Sequence, residues 1–367
     1  MNMWASELDV GTPCPDQITL FGGGRWARII TQSLCELLSP AVQISIYSPH
    51  NADAMSAWVY ANGLTRQVTI LYDKPVFNPA LVNAAIVANA ARDHEWASTY
   101  ALEAGVPVLV EKPLTLTIET AQRLVTLATL RGVQLAPASV FLFARYIENF
   151  AAIVKRAGPI QSIRIHWEDP RRETRHGEQK QFDSTLPIFS DLLPHISSII
   201  GLLSPGQPQD CVRLKAMRGG AEVALDLSVG TSLCQALLIR NGSVRKRIVS
   251  VSTTDETISL DFSDEPGRID AGSVSRDADP DWPIARRPLA SMLTAFLQGS
   301  ASGIFDPRFN PSLGLQACRL INQAQFLYKD AMQPWLAACF EAKEPLNDDL
   351  TYARNESTQA GLSNTER

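Results

Sequence analysis

The sequence predicts an α/β protein with a doubly wound parallel sheet in its first part and a largely antiparallel sheet in its second part. Three observations support this prediction. A glycine cluster at residues 22–24 joins a short apolar run to a segment with helical spacing. Strand-like and helix-like segments then alternate as far as about residue 140. After that point, strand-like runs follow one another without helices between them.

In the first part, short apolar runs predict strands that are buried on both faces of a sheet. These runs are 17–21, 42–47, 68–72, 85–87, 108–110 and 133–136. Helical spacing predicts a helix after the glycine cluster, and three more helices are expected to begin after Asn51, Asp93 and Thr117. Each of these three residues is a candidate N-cap, because its side chain can accept a hydrogen bond from a free N–H group at the helix start.

In the second part, helices are predicted at 146–157 and 187–203, with a strand at 160–167 and a polar loop at 171–181 between them. Further strand-like runs lie at 212–217, 222–229, 232–238, 247–251 and 256–262. The turn signal Arg240-Asn241-Gly242-Ser243 predicts a hairpin between two of these strands. Two helical patterns follow, at 288–298 and 311–328.

Composition and charge exclude several classes of protein. The chain has 367 residues with 45% hydrophobic and 19% charged residues, which is ordinary for a globular protein of about two domains. Its net charge of −5 argues against a nucleic-acid surface, since the basic clusters are short. No apolar run approaches the roughly 18 residues that a membrane helix needs, and no secretory signal is visible. The six scattered cysteines contain no C-x-x-C pair, so we expect no zinc site and a reducing, cytoplasmic location.

The glycine cluster matches a dinucleotide-binding pattern. Gly22, Gly24 and Ala27 fit G-x-G-x-x-G/A directly after a predicted strand. In that pattern the first glycine permits a tight turn, the second lets a diphosphate approach the backbone, and the small third residue lets the helix pack closely. The alternative is a glycine-rich turn that binds no ligand.

We therefore expect an N-terminal extension at 1–16, a dinucleotide-binding domain at 17–140, a second α/β domain at 141–344 and a disordered tail at 345–367. The candidate cleft lies between the two domains, because ligands of open parallel sheets bind beyond the carboxyl ends of the strands.

Two further motifs carry acid–base groups. The apolar run at 107–110 ends in Glu111-Lys112-Pro113, so Lys112 is expected at the carboxyl edge of the sheet, where partial burial would lower its pKa. The alternative is a surface salt bridge between Lys112 and Glu111. Asp191 and His195 are spaced i and i+4 and would share one face of a helix. A histidine beside a carboxylate can exchange protons near neutral pH, although a structural Asp–His pair or an Asp191 N-cap is the alternative.

The order of these motifs resembles the Gfo/Idh/MocA family of NAD(P)-dependent oxidoreductases over about residues 17–330. AIVANAARDH at 85–94 is similar to that family's strand and T-P-x-x-x-H turn. FARY at 143–146 is similar to its arginine–aromatic pair, and RAGPI at 156–160 to its entry to the second sheet. The resemblance implies a Rossmann domain and an α/β domain with an open sheet that forms a homo-oligomer interface. It also implies hydride transfer at a carbinol or carbonyl carbon of a small molecule, commonly a sugar or cyclitol.

The resemblance also implies roles for single residues. Lys112 and His195 would be catalytic, with Asp191 as the supporting carboxylate. The substrate would contact Arg145 and Tyr146, although a salt bridge is an alternative for Arg145, and no metal is expected. The residues implied to bind the cofactor are Gly22, Gly24, Arg25, Trp26, Ala27, Ser48, Asn89, His94, Glu111 and Lys112.

Departures from the family pattern bear on the substrate. The residues around the histidine include Leu193, Pro194 and the nearby Phe189, and Asn89-Ala90 replaces the usual Thr-Pro. We expect Leu193, Pro194 and Phe189 to make the pocket wall more apolar than a polyol needs, which favours a less polar ketone or an imine. Imine reduction is therefore one alternative, and a nucleotide-sensing regulator without turnover is another.

The end of the second predicted strand bears on the choice of cofactor. An NAD site usually has Asp or Glu there to bind the ribose 2′-hydroxyl, but the sequence reads Tyr47-Ser48-Pro49-His50 and reaches its first acid at Asp53. Ser48 can donate a hydrogen bond to a 2′-phosphate, and Arg25 or Arg66 could supply positive charge. The sequence therefore favours NADP over NAD.

Overall fold

The computed structural model describes residues 14–341 except 176–177, 180–181 and 183–184. The predicted tail at 345–367 and most of the predicted N-terminal extension lie outside the described residues. Two large sheets organise the chain. The first contains the strands β1 (Gln17–Phe21), β2 (Gln43–Tyr47), β3 (Val68–Leu71), β4 (Asn83–Val87), β5 (Val108–Val110) and β6 (Leu135–Pro137).

All neighbouring strands of this first sheet are parallel, in the order β3-β2-β1-β4-β5-β6. The helices between its strands are α1 (Arg25–Leu37), α2 (Ala52–Ala61), α3 (His94–Glu103) and α4 (Ile118–Arg131). The predicted doubly wound parallel sheet is confirmed. Strand order changes direction between β1 and β4, so a crevice opens at the carboxyl ends of these two strands.

The backbone decides which of the three predicted N-caps form. Thr117 is extended (φ −131°, ψ 151°), and its hydroxyl accepts a hydrogen bond from the N–H of Thr120, as predicted. The prediction is wrong for Asn51 (φ −131°, ψ 19°) and Asp93 (φ −101°, ψ −2°), whose side chains make no cap hydrogen bond. An N-cap side chain reaches back to the helix only from an extended backbone, which these two residues lack.

The second sheet has eight strands in the order β10-β11-β12-β7-β13-β14-β15-β16. They are β7 (Ile160–Pro170), β10 (Gln209–Met217), β11 (Glu222–Val229), β12 (Ser232–Gly242), β13 (Lys246–Thr253), β14 (Thr257–Asp261), β15 (Arg268–Ala271) and β16 (Val274–Asp277). The short strands β8 (Thr174–Arg175) and β9 (Glu178–Gln179) pair within the segment that was predicted as a loop. The last two strands of the large sheet were not predicted.

The predicted hairpin at Arg240-Asn241-Gly242-Ser243 is wrong. Strand β7 lies between β12 and β13, with β12 parallel to it and β13 antiparallel to it. The backbone does turn at this position, since Asn241 has a left-handed φ of 58°. However, the chain uses this turn to cross over β7, because β7 pairs along most of its length with both β12 and β13. Every other neighbouring pair in this sheet is antiparallel, so the largely antiparallel sheet is confirmed.

The helices that follow β6 pack against both sheets. Helices α5 (Arg145–Arg156) and α6 (Ile188–Leu203) share one core with the second sheet and with the middle of α8 (Pro311–Glu341). Helix α7 (Pro288–Ser302) comes late in the chain, yet Met292, Leu293 and Phe296 pack in the core of the first sheet. The chain therefore returns to its first domain after completing the second sheet.

No helix in the described ranges is both long enough and apolar enough to span a membrane. The six cysteines are free, and burial raises the pKa of Cys14, Cys35 and Cys211 to about 11. These thiols are therefore protonated at neutral pH, as is typical of buried cysteines that act as small packing residues.

Candidate active site

A cavity of about 810 Å³ lies where the carboxyl edge of the first sheet meets α6 and the second sheet. This volume is in the range of sites that bind small molecules or cofactors. Most of the predicted site residues share its wall: Arg25, Trp26, Asn89, His94, Glu111, Lys112, Tyr146, Asp191 and His195. The structure thus brings together segments that are far apart in the sequence.

The glycine turn between β1 and α1 has the geometry that its pattern predicts. Gly22 has a φ of +139°, and a Cβ there would lie 2.6 Å from the carbonyl oxygen of Ala88, so a larger residue does not fit. Gly24 precedes α1, and a Cβ there would meet no atom within 4 Å. Ala27 is fully buried against the sheet. The close approach at Gly22 is internal to the protein, whereas Gly24 borders open space.

Sequence reasoning missed Gly23. A Cβ at Gly23 would lie 2.4 Å from the Oγ atom of Ser48, so this glycine lets β2 approach the turn. Ser48 is accordingly buried beneath the glycines. The signal was present in the sequence as a third consecutive glycine, but the G-x-G-x-x-G/A pattern assigns no role to that position.

The start of α1 fits the diphosphate of a dinucleotide. Its first turn has no acidic residue and no side-chain cap, so its N–H groups remain available to an anion. Open space borders Gly24, and the side chains of Arg25 and Trp26 reach the cavity wall. These features fit NAD or NADP.

Lys112 follows β5 and faces α6 of the second domain. Its Nζ atom donates hydrogen bonds to the Asp191 carboxylate and, at 3.3 Å, to the Asp191 carbonyl oxygen. The Lys112 and Asp191 side chains are 26% and 31% exposed, respectively, so a ligand in the cavity can reach both. Glu111 instead accepts the Lys112 backbone N–H at 3.2 Å. The alternative of a Lys112–Glu111 surface pair is therefore not what the structure shows.

The predicted direction of the Lys112 pKa shift is wrong. Burial by itself would lower this pKa, but the Asp191 carboxylate, with smaller contributions from Glu111 and Asp169, outweighs burial and raises it. For Asp191, burial would raise the pKa, but the Lys112 ammonium group reverses this effect and holds the pKa far below its usual range. Lys112 and Asp191 are therefore a charged pair at neutral pH.

Helix α6 presents Asp191 and His195 on one face, as their spacing predicts. Within Ile188–Ile200, these two side chains are the ones that are not buried. The prediction that Phe189, Leu193 and Pro194 line the pocket is wrong, because α6 directs them into the core. The second-domain helix thus contributes two polar groups to the cavity rather than an apolar wall.

An aromatic cage surrounds the imidazole of His195. Its ring is stacked on the indole of Trp167, with centroids 5.7 Å apart and an angle of 8° between the planes. Phe141 meets the imidazole edge-on at 5.0 Å. The guanidinium of Arg247 lies 4.2 Å from the Trp167 ring centroid. Sequence reasoning missed this cage, because its members come from separate segments and no local pattern joins them.

His94 connects the loops that follow β4 and β5. Its Nδ1 atom lies 2.8 Å from the Pro113 carbonyl oxygen, and its Nε2 atom lies 3.3 Å from that of Asn89. Burial lowers the pKa of His94, so the ring is neutral and donates to one of these oxygens. These contacts indicate that His94 positions Asn89 and the loop after β5.

The two residues implied to contact substrate have different positions. Tyr146 is buried on the cavity wall. Arg145 forms ion pairs with Asp279, at 3.4 Å, and with Asp281, and it does not line the cavity. The salt bridge that was the alternative for Arg145 is therefore present. In the part of the chain that the structure describes, no cluster of His, Cys, Asp or Glu could hold a metal ion.

Comparison with known proteins agrees with this geometry. Residues 18–139 match the model of the Gfo/Idh/MocA family, described as an oxidoreductase family with an NAD-binding Rossmann fold. This match covers the first domain, which is therefore an NAD-binding Rossmann domain. The match agrees with the NAD(P)-dependent oxidoreductase family that the resemblance of the motifs implied. No curated protein matches the chain in sequence.

Solved structures of similar fold cover most of the chain. UDP-N-acetylglucosamine 3-dehydrogenase from Acidithiobacillus ferrooxidans is 17% identical with a TM-score of 0.66, and the match covers 86% of this chain and 99% of that one. A 3-ketoreductase from Actinomadura kijaniata, in complex with TDP-benzene and NADP, is 19% identical with a TM-score of 0.66 (85% and 97%). The myo-inositol dehydrogenase of Lactobacillus casei, in complex with NAD(H) and myo-inositol, is 14% identical with a TM-score of 0.68 (86% and 95%). At these identities the likeness shows a shared fold.

Proposed function

We propose that the protein transfers a hydride between a nicotinamide and a carbinol or carbonyl carbon of a small molecule, either sugar-like or a ketone. The observation that carries the proposal is that Lys112, Asp191 and His195 share one cavity with the free start of α1. A cofactor bound at the glycine turn and a substrate bound beside the acid–base groups would therefore meet in one cavity.

The glycine turn and the start of α1 would hold the cofactor diphosphate, and Asn89 and Glu111 would line the path toward the cavity. When bound, the nicotinamide supplies or accepts the hydride. The side chains of the protein have two remaining tasks: they must orient the substrate oxygen and exchange one proton with it.

Lys112 suits the first of these tasks. Asp191 keeps it positively charged, so its ammonium group can hold the substrate oxygen and stabilise negative charge that develops there. His195 suits the second task, because imidazole exchanges protons near neutral pH and the cage of Phe141 and Trp167 fixes its ring. Asp191 supports both groups from the same face of α6.

NADP is the cofactor that we propose in preference to NAD. Strand β2 ends without an acid that would repel a 2′-phosphate. The first acid, Asp53, lies in α2, where it accepts a hydrogen bond from the Tyr72 hydroxyl at 3.1 Å. Titration with NADPH and NADH tests this preference: tighter binding of NADPH supports it, and tighter binding of NADH contradicts it.

Imine reduction is the second candidate. The aromatic side chains Phe141, Trp167 and Trp282 on the cavity wall favour a planar, unsaturated substrate. Turnover of a cyclic imine in preference to a ketosugar would support this candidate. A nucleotide-sensing regulator is less well supported, since a protein without turnover has no need of a charged Lys112–Asp191 pair beside His195.

Replacement of Lys112 tests the proposal. Lys112→Met should retain NADPH binding while turnover collapses, measured against panels of sugars, cyclitols, keto acids and imines. Lys155→Met is the matched control, because Lys155 is exposed at the end of α5, away from the cavity. Turnover by Lys112→Met equal to wild type would remove Lys112 from its role. Wild-type protein that binds neither NADPH nor NADH would contradict the whole proposal.

We also propose a cytoplasmic homo-oligomer that assembles through the second sheet. The support is a set of exposed apolar side chains on its strands, including Val212, Leu233 and Val274. Leu233→Asp should then lower the mass measured by size-exclusion chromatography with light scattering. A wild-type monomer under the same conditions would contradict this assembly.

A further inference from the structure

We infer that Arg287 is an anion-binding residue of this cavity, placed to bind a phosphate or carboxylate group of the cofactor or of the substrate. The inference rests on the proposed function, since it concerns the same ligand space. It assigns to Arg287 a role that the sequence had offered to Arg145.

The neighbouring arginines of the cavity wall are already neutralised. Arg245 donates to Glu173 at 2.9 Å and to Glu265 at 3.3 Å. Arg247 pairs with Asp169 and also donates to the Glu168 carbonyl oxygen at 2.6 Å. These side chains build the wall, and their donors are occupied by the protein.

Arg287 differs from them. Its guanidinium lies 3.8 Å from the ring centroid of Trp282, and its Nη1 atom donates to the Trp282 carbonyl oxygen at 3.0 Å. Across the ranges that the structure describes, Arg287 has no carboxylate partner. The side chain is exposed and borders the cavity, so its remaining N–H donors face solvent that a ligand can displace. A planar guanidinium with two free donors matches the geometry of a carboxylate or phosphate.

The platform under Arg287 is rigid. Trp282 meets Tyr146 edge-to-face at 5.8 Å, and its backbone N–H donates to the Asp279 carbonyl oxygen at 3.0 Å. Arg145 pairs with Asp279 and Asp281 and so ties this segment to the start of α5. The Arg145 ion pairs therefore position the indole on which Arg287 is stacked. Such a fixed platform reduces the entropy that Arg287 loses when it binds an anion.

The anion that Arg287 binds could belong either to the cofactor or to the substrate, because a phosphate or carboxylate group would make the same contacts in both cases. Leu289, two residues after Arg287, lines the same cavity as Trp26 of α1, and helices α1 and α7 are in contact, so a cofactor bound at the start of α1 could supply the anion. Arg287 and Leu289 also line the cavity in which the substrate would bind, so the substrate could supply the anion instead. The experiment must therefore separate an anion carried by the cofactor from one carried by the substrate.

We would compare Arg287→Ala and Arg287→Lys with wild type, using Arg276→Ala as the control. Arg276 is an exposed arginine on β16 outside the cavity wall, so its removal matches the change in net charge. NADPH affinity is measured by fluorescence titration. Inorganic phosphate and acetate are then titrated into the NADPH complex, with NADPH emission as the readout. Thermal unfolding verifies that each variant is folded.

If the cofactor supplies the anion, Arg287→Ala should weaken NADPH binding by roughly tenfold or more relative to Arg276→Ala, the cost of a lost charged hydrogen bond. If the substrate supplies it, NADPH affinity should stay unchanged, and the response to phosphate or acetate should disappear in Arg287→Ala. Arg287→Lys should fall between wild type and Arg287→Ala, because lysine keeps the charge but not the planar fork.

The inference is overturned if both Arg287 variants match Arg276→Ala in all three titrations. That result leaves the proposed function intact as long as wild-type protein binds NADPH. If wild-type protein binds no dinucleotide at all, the proposed function fails, and Arg287 then has no ligand to serve.

Discussion

The two walls of the cavity are built in different ways. The wall from the first sheet consists of segments that closely follow strands, and Arg25, Asn89 and Lys112 reach it because of their places in those segments. The wall from the second domain consists of side chains that other side chains hold. His195 is stacked on Trp167, and Arg287 is stacked on Trp282. The comparison shows that the wall proposed to bind the cofactor depends on backbone geometry, whereas the opposite wall depends on side-chain packing.

If this comparison is correct, a change at His195 should impair chemistry without affecting cofactor binding. We expect His195→Gln to lower kcat by about a hundredfold to ten-thousandfold, the usual contribution of a positioned acid–base group. NADPH affinity should stay unchanged. The measurement is steady-state turnover of the best substrate of the panel, together with NADPH titration. His166→Gln is the control, because His166 lies on β7 and does not border the cavity. Equal losses of turnover and of NADPH affinity in His195→Gln would contradict the division between the walls.

The glycine turn tests the other wall. Gly22→Ala should lower the free energy of unfolding by about 1–3 kcal/mol, because a positive φ and the Ala88 carbonyl oxygen both oppose a side chain. Gly24→Ala should cost less than about 1 kcal/mol, since its Cβ meets open space. It should nevertheless weaken NADPH binding, because its methyl group would stand where the diphosphate approaches. Urea unfolding and NADPH titration measure the two effects. Similar stability losses in both variants would contradict the difference in steric freedom between Gly22 and Gly24.

Removal of the stacking partner of His195 should have a smaller effect. We expect Trp167→Leu to lower kcat by up to about tenfold, which corresponds to the loss of one aromatic pair. Trp167→Phe should retain more activity, since it keeps an aromatic face beside the imidazole. Both variants should bind NADPH as wild type does. An unchanged kcat in Trp167→Leu would mean that the cage does not position His195.

The smallest effect is expected for the charged pair of Lys112 and Asp191, which links the two walls of the cavity. In Asp191→Asn, Lys112 loses the nearest carboxylate that offsets its burial, so the pKa of Lys112 should fall. Because Lys112 is active as an ammonium group, the alkaline decline of kcat/KM should move to lower pH. The measurement is the pH profile of kcat/KM in the variant and in wild type. An alkaline decline that stays in place or moves to higher pH would assign the oxygen-binding role to another group.

Parts of the site were predictable because their signals are local. Asp191 and His195 share a helix face because of their i, i+4 spacing, and Lys112 lies at a strand end because an apolar run precedes it. Their mutual arrangement was not predictable. The Lys112 pKa was expected to fall, since the sequence reveals burial near a strand end but not the Asp191 carboxylate that faces it from a helix 79 residues away.

The sequence by itself determined the order of strands and helices, the parallel first sheet and the glycine turn, since each depends on periodicity or on backbone preferences of neighbouring residues. Tertiary structure decided the insertion of β7 between β12 and β13, the burial of Leu193 and Pro194, and the cage around His195. The physical reason is range. Turn and helix preferences act within a few residues, whereas sheet insertion, core packing and charge pairing depend on which distant segments share the same space.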